Sequence, residues 1–293
     1  MKGLVLSITA GQGHNQTAMV ISKRFNECGV ECKYLDVYKF INPILSDSVN
    51  KIYLMSTKAI PKIYGGVYRM CEKRGVQSGA GIHGLNRITN SVLSRSLIKL
   101  IQKEKPDFII CTHIFAALLV TYISSIEHLN AKTIGVITDF TIHPYWEDSL
   151  LDYYIIANER LTIQGIKKGF PENKFLPLGI PIGTKFSRKI EKSKAKEILN
   201  LHSKHTILVM SGSMGFGAVY KEIEELDKLD MDFEIVSVSG NNKKLKTKID
   251  SMETRKKIYS YGYINNVDVF MDACDCIITK PGGLTTSLSL IHI

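Results

Sequence analysis

Two stretches of this chain run from a buried apolar segment through a glycine turn into a helical pattern, and that pairing limits the fold more than any other feature. The first leads from Leu4-Val5-Leu6-Ser7-Ile8 into Thr9-Ala10-Gly11-Gln12-Gly13-His14. The second leads from Thr206-Ile207-Leu208-Val209-Met210 into Ser211-Gly212-Ser213-Met214-Gly215-Phe216-Gly217. A helix that opens from such a turn leaves its first N–H groups unbonded, and these groups and the helix dipole favour an anion. Two units of this kind imply two facing nucleotide-type domains with a cleft between them, which points toward transfer between two bound substrates.

Strands and helices alternate along the rest of the chain, so the expected class is α/β with parallel sheets. In the first half the pattern predicts strands over Gly3–Ile8, Glu31–Val37, Phe108–Cys111, Thr133–Ile137 and Tyr153–Ala157, with helices over His14–Cys28, Asn86–Ile101 and Glu159–Lys168. A long irregular and helical stretch, roughly Ile41–Arg74, is broken by Pro43, Pro61, Gly65 and Gly66 and is rich in aromatic and apolar groups. Gly169-Phe170-Pro171 and the punctuated run Phe175–Pro181 mark a stop. The boundary is placed near residue 185, giving domains 1–185 and 186–293. The second half restarts with helix Ser193–Leu201, strand Thr206–Met210 and helix Ala218–Leu229. Strand Phe233–Val238, a basic helix, and strands Ile258–Tyr261 and Cys276–Thr279 follow.

The 293 residues, 44% of them hydrophobic, suffice for two cores. A surplus of 38 Lys and Arg over 28 Asp and Glu gives a net charge of +10, which suits an anionic lipid surface, an anionic small molecule or nucleic acid, or else reflects a Lys-rich background. No nucleic-acid motif accompanies the charge, and Lys243–Lys248 is short enough to be a solvated helix face. Six cysteines without a C-x-x-C spacing argue against a metal site or a disulfide framework and for a cytosolic protein. The N-terminus reads as a strand and not as a secretory leader. The apolar run Phe108–Ile126 resembles a membrane span, but Asp107, His113 and its threonines favour a buried strand followed by a buried helix from about Phe115.

The first glycine turn is not a dinucleotide fingerprint, because Gln16 stands where G-x-G-x-x-G requires glycine and only Asp36 offers an acid after the next strand. His14, at a helix start, is either a base for an attacking hydroxyl or a polar turn residue. A second polar cluster, Thr138-Asp139-Phe140-Thr141-Ile142-His143-Pro144-Tyr145-Trp146, follows a strand. Trp146, the single tryptophan, could pack on a sugar ring, meet a lipid interface, or sit in a loop tucked against its own domain. In the second half, Gly212-Ser213-x-Gly215, Gly240-Asn241-Asn242 and Pro281-Gly282-Gly283-x-Thr285-Thr286 each follow a strand. Three such loops on one carboxyl edge suit a diphosphate held without a metal.

With these motifs the chain resembles the group of monogalactosyldiacylglycerol synthases and processive diacylglycerol glucosyltransferases. The motifs are SITAGQGH, VITDFTIHPYW, LGIPI, SGSMGFG, SGNN and YGYINNVDVFMDACDCIITKPGGLTT, in the family's order and over nearly the whole length. A more distant similarity is to the bacterial peptidoglycan N-acetylglucosaminyltransferase. The resemblance implies a GT-B fold of two Rossmann-like domains facing a cleft. The implied reaction is inverting transfer of a hexose from a UDP-sugar to diacylglycerol or a glycolipid, with no metal or other cofactor. By resemblance His14 is the general base, Asp139 joins it, and Gly11, Gly13, His143 and Trp146 shape the acceptor side. On the donor side Gly212, Ser213, Gly215, Gly240, Asn241, Lys280, Gly282, Gly283, Thr285 and Thr286 face the diphosphate and sugar, and Tyr263 and Ile264 the uracil. The same resemblance, with the basic charge and the aromatic stretch Ile52–Tyr68, implies a cytoplasmic enzyme on the inner membrane face.

The family pattern continues to a glutamate that holds the ribose hydroxyls, and here the matching position is Leu288. The expectation is therefore an incomplete second domain, with an uncovered sheet edge, poor stability and weak donor binding. Two other readings stay open: N-acetylglucosaminyl transfer to a lipid-linked precursor, and a non-catalytic UDP-sugar-binding paralogue. Which hexose is moved, how many are added and the oligomeric state are not encoded in any motif.

Overall fold

The computed structural model describes residues 1–9, 12–41, 93–202, 205–215 and 217–293. The aromatic stretch Ile52–Tyr68, the beginning of the helix expected from Asn86, Gly11 and Phe216 lie outside the described residues. The chain divides into two compact units, Met1–Pro181 and Ile182–Ile293. The division falls at the end of the punctuated stretch, a little before residue 185.

In the first unit the order is β1 (Lys2–Ser7), α1 (Gln12–Glu27), β2 (Glu31–Asp36) and α2 (Val37–Ile41), then a helical stretch over residues 93–104. β3 (Phe108–Cys111), α3 (Ile114–Ile126), β4 (Lys132–Val136), β5 (Tyr153–Ile155), α4 (Arg160–Lys167) and β6 (Phe175–Leu176) complete it. The six strands form one parallel sheet in the order β2-β1-β3-β4-β5-β6. Side chains alternate across a strand, so Val5, Phe108, Ile110 and Val136 line one face while Leu4, Leu6, Ile109 and Cys111 line the other. α1 covers the first face because Ala18, Ile21 and Phe25 recur at helical spacing, and Phe25 meets Phe108 with ring centroids 4.8 Å apart. α3 and Leu93, Leu97 and Ile101 of the 93–104 stretch cover the second face. The run 108–126 is thus a strand and a 13-residue buried helix. Among the described residues no helix is long and apolar enough to cross a membrane.

The second unit repeats the plan on a smaller scale. It contains α5 (Lys192–Ile198), β7 (Thr206–Met210), α6 (Val219–Lys228), β8 (Glu234–Val238), α7 (Lys243–Asp250), β9 (Ile258–Tyr261), α8 (Val267–Ala273), β10 (Cys276–Thr279) and α9 (Gly283–His292). The four strands are parallel in the order β10-β7-β8-β9. Alternation again splits the core, with Leu208, Met210, Val236 and Val238 on one face and Val209 and Ile235 on the other. α8 and α9 were not among the expected helices: Val267–Ala273 was given no element, and the start of α9 lies in the loop read as a ligand site. Phe270, Met271 and Leu288 bury them against the sheet. Leu288, which stands where the resemblance leads to the expectation of a glutamate, is 5% exposed and occupies a core position. On the same helix His292 Nδ1 lies 2.7 Å from Asp272 Oδ1, and both side chains are buried.

Candidate functional site

In the first unit the strand order changes direction between β1 and β3. In open parallel sheets, ligands bind beyond the carboxyl ends of the strands at such a point. Leu6 pairs with Cys111 across the two strands, and the Thr112 N–H continues the ladder onto the Leu6 carbonyl at 3.0 Å. This register carries Thr112 and His113 to the level of the first turn of α1, where Gly13 and His14 lie. The helix starts at Gln12, two residues before the expected start, so His14 is a helical residue and not a loop residue. A side-chain carbon at Gly13 would meet nothing within 4 Å, so the turn is open beside His14.

His14 is half-buried and firmly held. Its Nδ1 lies 2.9 Å from the Thr112 carbonyl oxygen and 2.9 Å from Thr138 Oγ1, and the Thr112 hydroxyl donates to the His14 carbonyl at 3.0 Å. The His113 ring stands edge-on to His14 with centroids 4.7 Å apart. His113 caps α3, its Nδ1 accepting the Phe115 N–H at 3.2 Å, so its own hydrogen sits on Nε2. Burial pulls the His14 imidazole below the usual histidine range, opposed by the Asp139 charge and the hydrogen bond to Thr112. Burial also pushes His113 well below that range, and the neighbouring His14 and His143 add to the effect. Both rings are therefore neutral near pH 7, and a neutral imidazole has a lone pair to offer.

Asp36, the acid after β2, is engaged elsewhere: it accepts a hydrogen bond from the Thr9 hydroxyl and caps α2 through the Lys39 N–H at 3.2 Å. This structural use agrees with the absence of a dinucleotide fingerprint.

The loop after β4 is pinned at two points and exposed between them. Ile142 is fully buried, its N–H donates to Gln164 Oε1 of α4 at 2.8 Å, and Gln164 Nε2 donates to Thr141 Oγ1 at 2.9 Å. Asp139 and Phe140 stand exposed on the arch. His143 is half-buried, and its Nδ1 accepts the Tyr145 N–H at 3.2 Å. Burial lowers its pKa, with Asp139 and Glu147 pulling upward and Lys168 downward. Trp146 corrects an expectation. It is 5% exposed and packs edge-on against Tyr154 at 6.1 Å, in the core beneath the loop. The cause is room: Gly135 lacks the side-chain carbon that would come within 2.9 Å of the indole. Its ring is unavailable to a sugar or a lipid interface, and the third reading, a loop tucked against its own domain, is the one that holds.

In the second unit the order reverses between β7 and β10. The turn after β7 and the turn after β8 lock together. The Asn241 N–H donates to the Ser213 carbonyl at 2.8 Å, and Asn242 Nδ2 donates to the Gly215 carbonyl at 3.0 Å. Gly215 and Gly240 have φ of 59° and 55°, and a side-chain carbon on either would overlap a carbonyl oxygen of the other turn, Ser239 and Ser213 respectively. Only glycine fits at these two positions. Lys280, leaving β10, reaches over the first turn, with Cε 3.5 Å and Nζ 4.0 Å from where a Gly212 side chain would begin. Gly282 and Gly283 start α9, and the Thr286 hydroxyl donates back to the Gly282 carbonyl at 2.8 Å. Thr285 lies in the same first turn. Tyr263 is half exposed after β9, whereas Ile264 packs against the core. The structure thus brings Gly212, Ser213, Gly215, Gly240, Asn241 and Lys280 together at one sheet edge. Among the described residues no group of three or more His, Cys, Asp or Glu could hold a metal ion.

Thr112 and His113 were absent from the expected site, and Thr138 stood in the polar cluster without a role. The available signal was positional, since all three follow buried strands, but which strand neighbours β1 is not written in the local pattern.

Two parallel Rossmann-like sheets, each with its loops gathered at a point of reversal, define the GT-B class of glycosyltransferase fold. Solved structures agree: Acinetobacter baumannii MurG has a TM-score of 0.60 at 15% identity, covering 99% of this chain and 76% of its own. Anabaena Alr3699/HepE in complex with UDP has a TM-score of 0.58 at 12% identity, covering 99% and 78%. The chain belongs to the monogalactosyldiacylglycerol (MGDG) synthase family, whose model matches residues 14–182. It is similar to the processive diacylglycerol beta-glucosyltransferase of Bacillus pumilus (strain SAFR-032), 29% identical over 296 residues, covering 97% of this chain and 73% of the relative. The protein of the same name from Bacillus mycoides (strain KBAB4) is 28% identical over 295 residues, covering 98% and 73%.

Proposed function

We propose that this chain transfers a hexose from a UDP-sugar to the hydroxyl of diacylglycerol or a glycolipid with inversion at the anomeric carbon. The observation that carries the reading is the neutral, held imidazole of His14 at the sheet reversal of a chain in the MGDG synthase family. In this mechanism the acceptor oxygen attacks the anomeric carbon as His14 takes its proton, and the bond to the diphosphate oxygen breaks to release UDP. Asp139, exposed within electrostatic reach, stabilises the imidazolium that forms. Gly13 and His143 border the acceptor. The interlocked turns at Gly212–Gly215 and Gly240–Asn241, the start of α9 at Gly282–Thr286 and the Lys280 ammonium receive the diphosphate, whose charge rises as the bond breaks. Tyr263 and Ile264 border the uracil. A cationic side chain and backbone N–H groups can supply this stabilisation without a metal.

The acceptor is a lipid, so the reading also places the protein at an anionic membrane surface on its cytoplasmic side, drawn there by the net charge of +10. The test is UDP release from UDP-glucose, UDP-galactose and UDP-N-acetylglucosamine, each with and without diacylglycerol vesicles. Release with a UDP-hexose that depends on diacylglycerol is expected. Release only with the N-acetylated donor would replace the reading by the lipid-linked-precursor alternative.

A further inference from the structure

We propose that Thr138 is a positioning residue for His14: with the Thr112 carbonyl it forms a two-acceptor seat for the Nδ1 hydrogen, so that Nε2 is the nitrogen that accepts a proton. The proposal rests on the reading of His14 as the base and deepens it. A carbonyl oxygen only accepts, so the 2.9 Å contact from Nδ1 to the Thr112 oxygen requires the hydrogen on Nδ1. Thr138 Oγ1 lies 2.9 Å from the same nitrogen. Were the hydroxyl to donate to Nδ1, that nitrogen would turn a lone pair toward the Thr112 oxygen. Thr138 therefore accepts as well, and the Nδ1 hydrogen is shared between two oxygens.

The seat is rigid because its parts are. Thr112 is fully buried and directly follows β3, and Thr138 is 6% exposed and stands two residues after β4, behind Ile137, whose N–H still bonds the Ile155 carbonyl. The reciprocal bond from the Thr112 hydroxyl to the His14 carbonyl ties the helix start to β3. The titratable groups facing the ring are His113, edge-on and neutral with its hydrogen on Nε2, and Asp139 on the loop after β4. Where many hydrolases orient a histidine with a buried carboxylate, this chain uses two neutral oxygens. Neutral acceptors fix the ring's orientation and the tautomer but favour the imidazolium less than a carboxylate does. The ring stays unprotonated near pH 7, and Nδ1 keeps both partners after Nε2 has taken its proton.

Thr138→Val removes Oγ1 at nearly constant shape, and Thr138→Ser retains it. The readouts are the imidazole 15N–1H correlations of His14 in the full chain, and kcat, KM and the pH profile with UDP-hexose and diacylglycerol. Wild type is expected to show Nδ1–H and a bare Nε2. The valine variant should keep Nδ1–H on the Thr112 carbonyl but with a shifted Nδ1–H resonance, and show a kcat about tenfold lower, the kinetic equivalent of one lost hydrogen bond, with donor KM unchanged. Its acid limb should move to lower pH, and serine should restore all three. Wild-type His14 with its hydrogen on Nε2 overturns the proposal, as does a folded valine variant with wild-type Nδ1–H resonance and kcat. The spectrum requires no substrate, so it decides the seat independently of whether His14 is the base.

Discussion

The Nδ1 atom of His14 and the Thr112 carbonyl oxygen, 98 positions apart in the chain, lie 2.9 Å apart, and the Thr112 hydroxyl returns a bond to the His14 carbonyl. That double tie fixes where the imidazole points and makes His14→Ala the most direct perturbation of the proposed chemistry. Loss of a general base lowers kcat by roughly 10²–10⁴-fold, measured as UDP release from a UDP-hexose with diacylglycerol. Because burial holds the His14 pKa below 6.5, the neutral form persists below that pH, and the acid limb of kcat/KM should lie under 6.5. Undiminished activity of the alanine variant would remove His14 from the role.

His113 leads to a stability prediction. Its pKa in the folded chain is well below the 6.5 of an exposed histidine. Between the two values the unfolded chain binds a proton that the folded chain does not, so stability is full above pH 6.5 and declines as pH falls toward the folded value. His113→Asn keeps an N-cap acceptor for α3 and removes the titration. Its melting temperature should depend less steeply on pH below 6.5 than that of the wild type, and an unchanged slope would contradict the assignment.

The two interlocked turns predict a contrast among glycines. Gly215→Ala and Gly240→Ala combine positive φ with an overlap on a carbonyl oxygen, so each should destabilise the second unit by about 1–3 kcal/mol and weaken UDP binding. Gly13→Ala sits in open space within a helix and should stabilise slightly, by about 0.5–1 kcal/mol, while raising KM for the lipid acceptor. Thermal melts and UDP titration separate the two behaviours.

Lys280 stands over the Gly212 turn with its ammonium exposed. Lys280→Ala should weaken UDP about tenfold, the scale of one charge-assisted hydrogen bond, and calorimetry should show a smaller salt dependence than in wild type. Equal affinities at low salt would exclude a diphosphate contact.

Trp146, the single tryptophan, is 5% exposed. Its emission should therefore be blue-shifted and poorly quenched by iodide, and diacylglycerol vesicles should leave both unchanged. Trp146→Ala should cost about 3–5 kcal/mol, the range for large aromatic core truncations.

Much of the architecture was legible. The strands Phe108–Cys111, Thr206–Met210, Ile258–Tyr261 and Cys276–Thr279 have the expected bounds, because short runs rich in apolar, β-branched or aromatic residues between polar or charged flanks have few alternatives. α8 and α9 were not seen, since short amphipathic segments such as Val267–Ala273 take helical form only when Phe270 and Met271 have a sheet to pack on. Trp146 lay in a loop whose composition suited a binding role equally well, and the space beside Gly135 decided for the core.

The sequence alone determined the two strand–turn–helix units, the glycines the turns need and the presence of His14 at a helix start, because these depend on backbone sterics and apolar periodicity within a few residues. Only the tertiary structure decided that β3 lies beside β1 and β4 beside β3. That order brings Thr112 and Thr138, 98 and 124 positions away, to one nitrogen of His14. Strand order follows from which apolar faces bury together, and no local pattern records it. The first glycine turn marked where a proton acceptor could stand, and the sheet supplied the two oxygens that orient it.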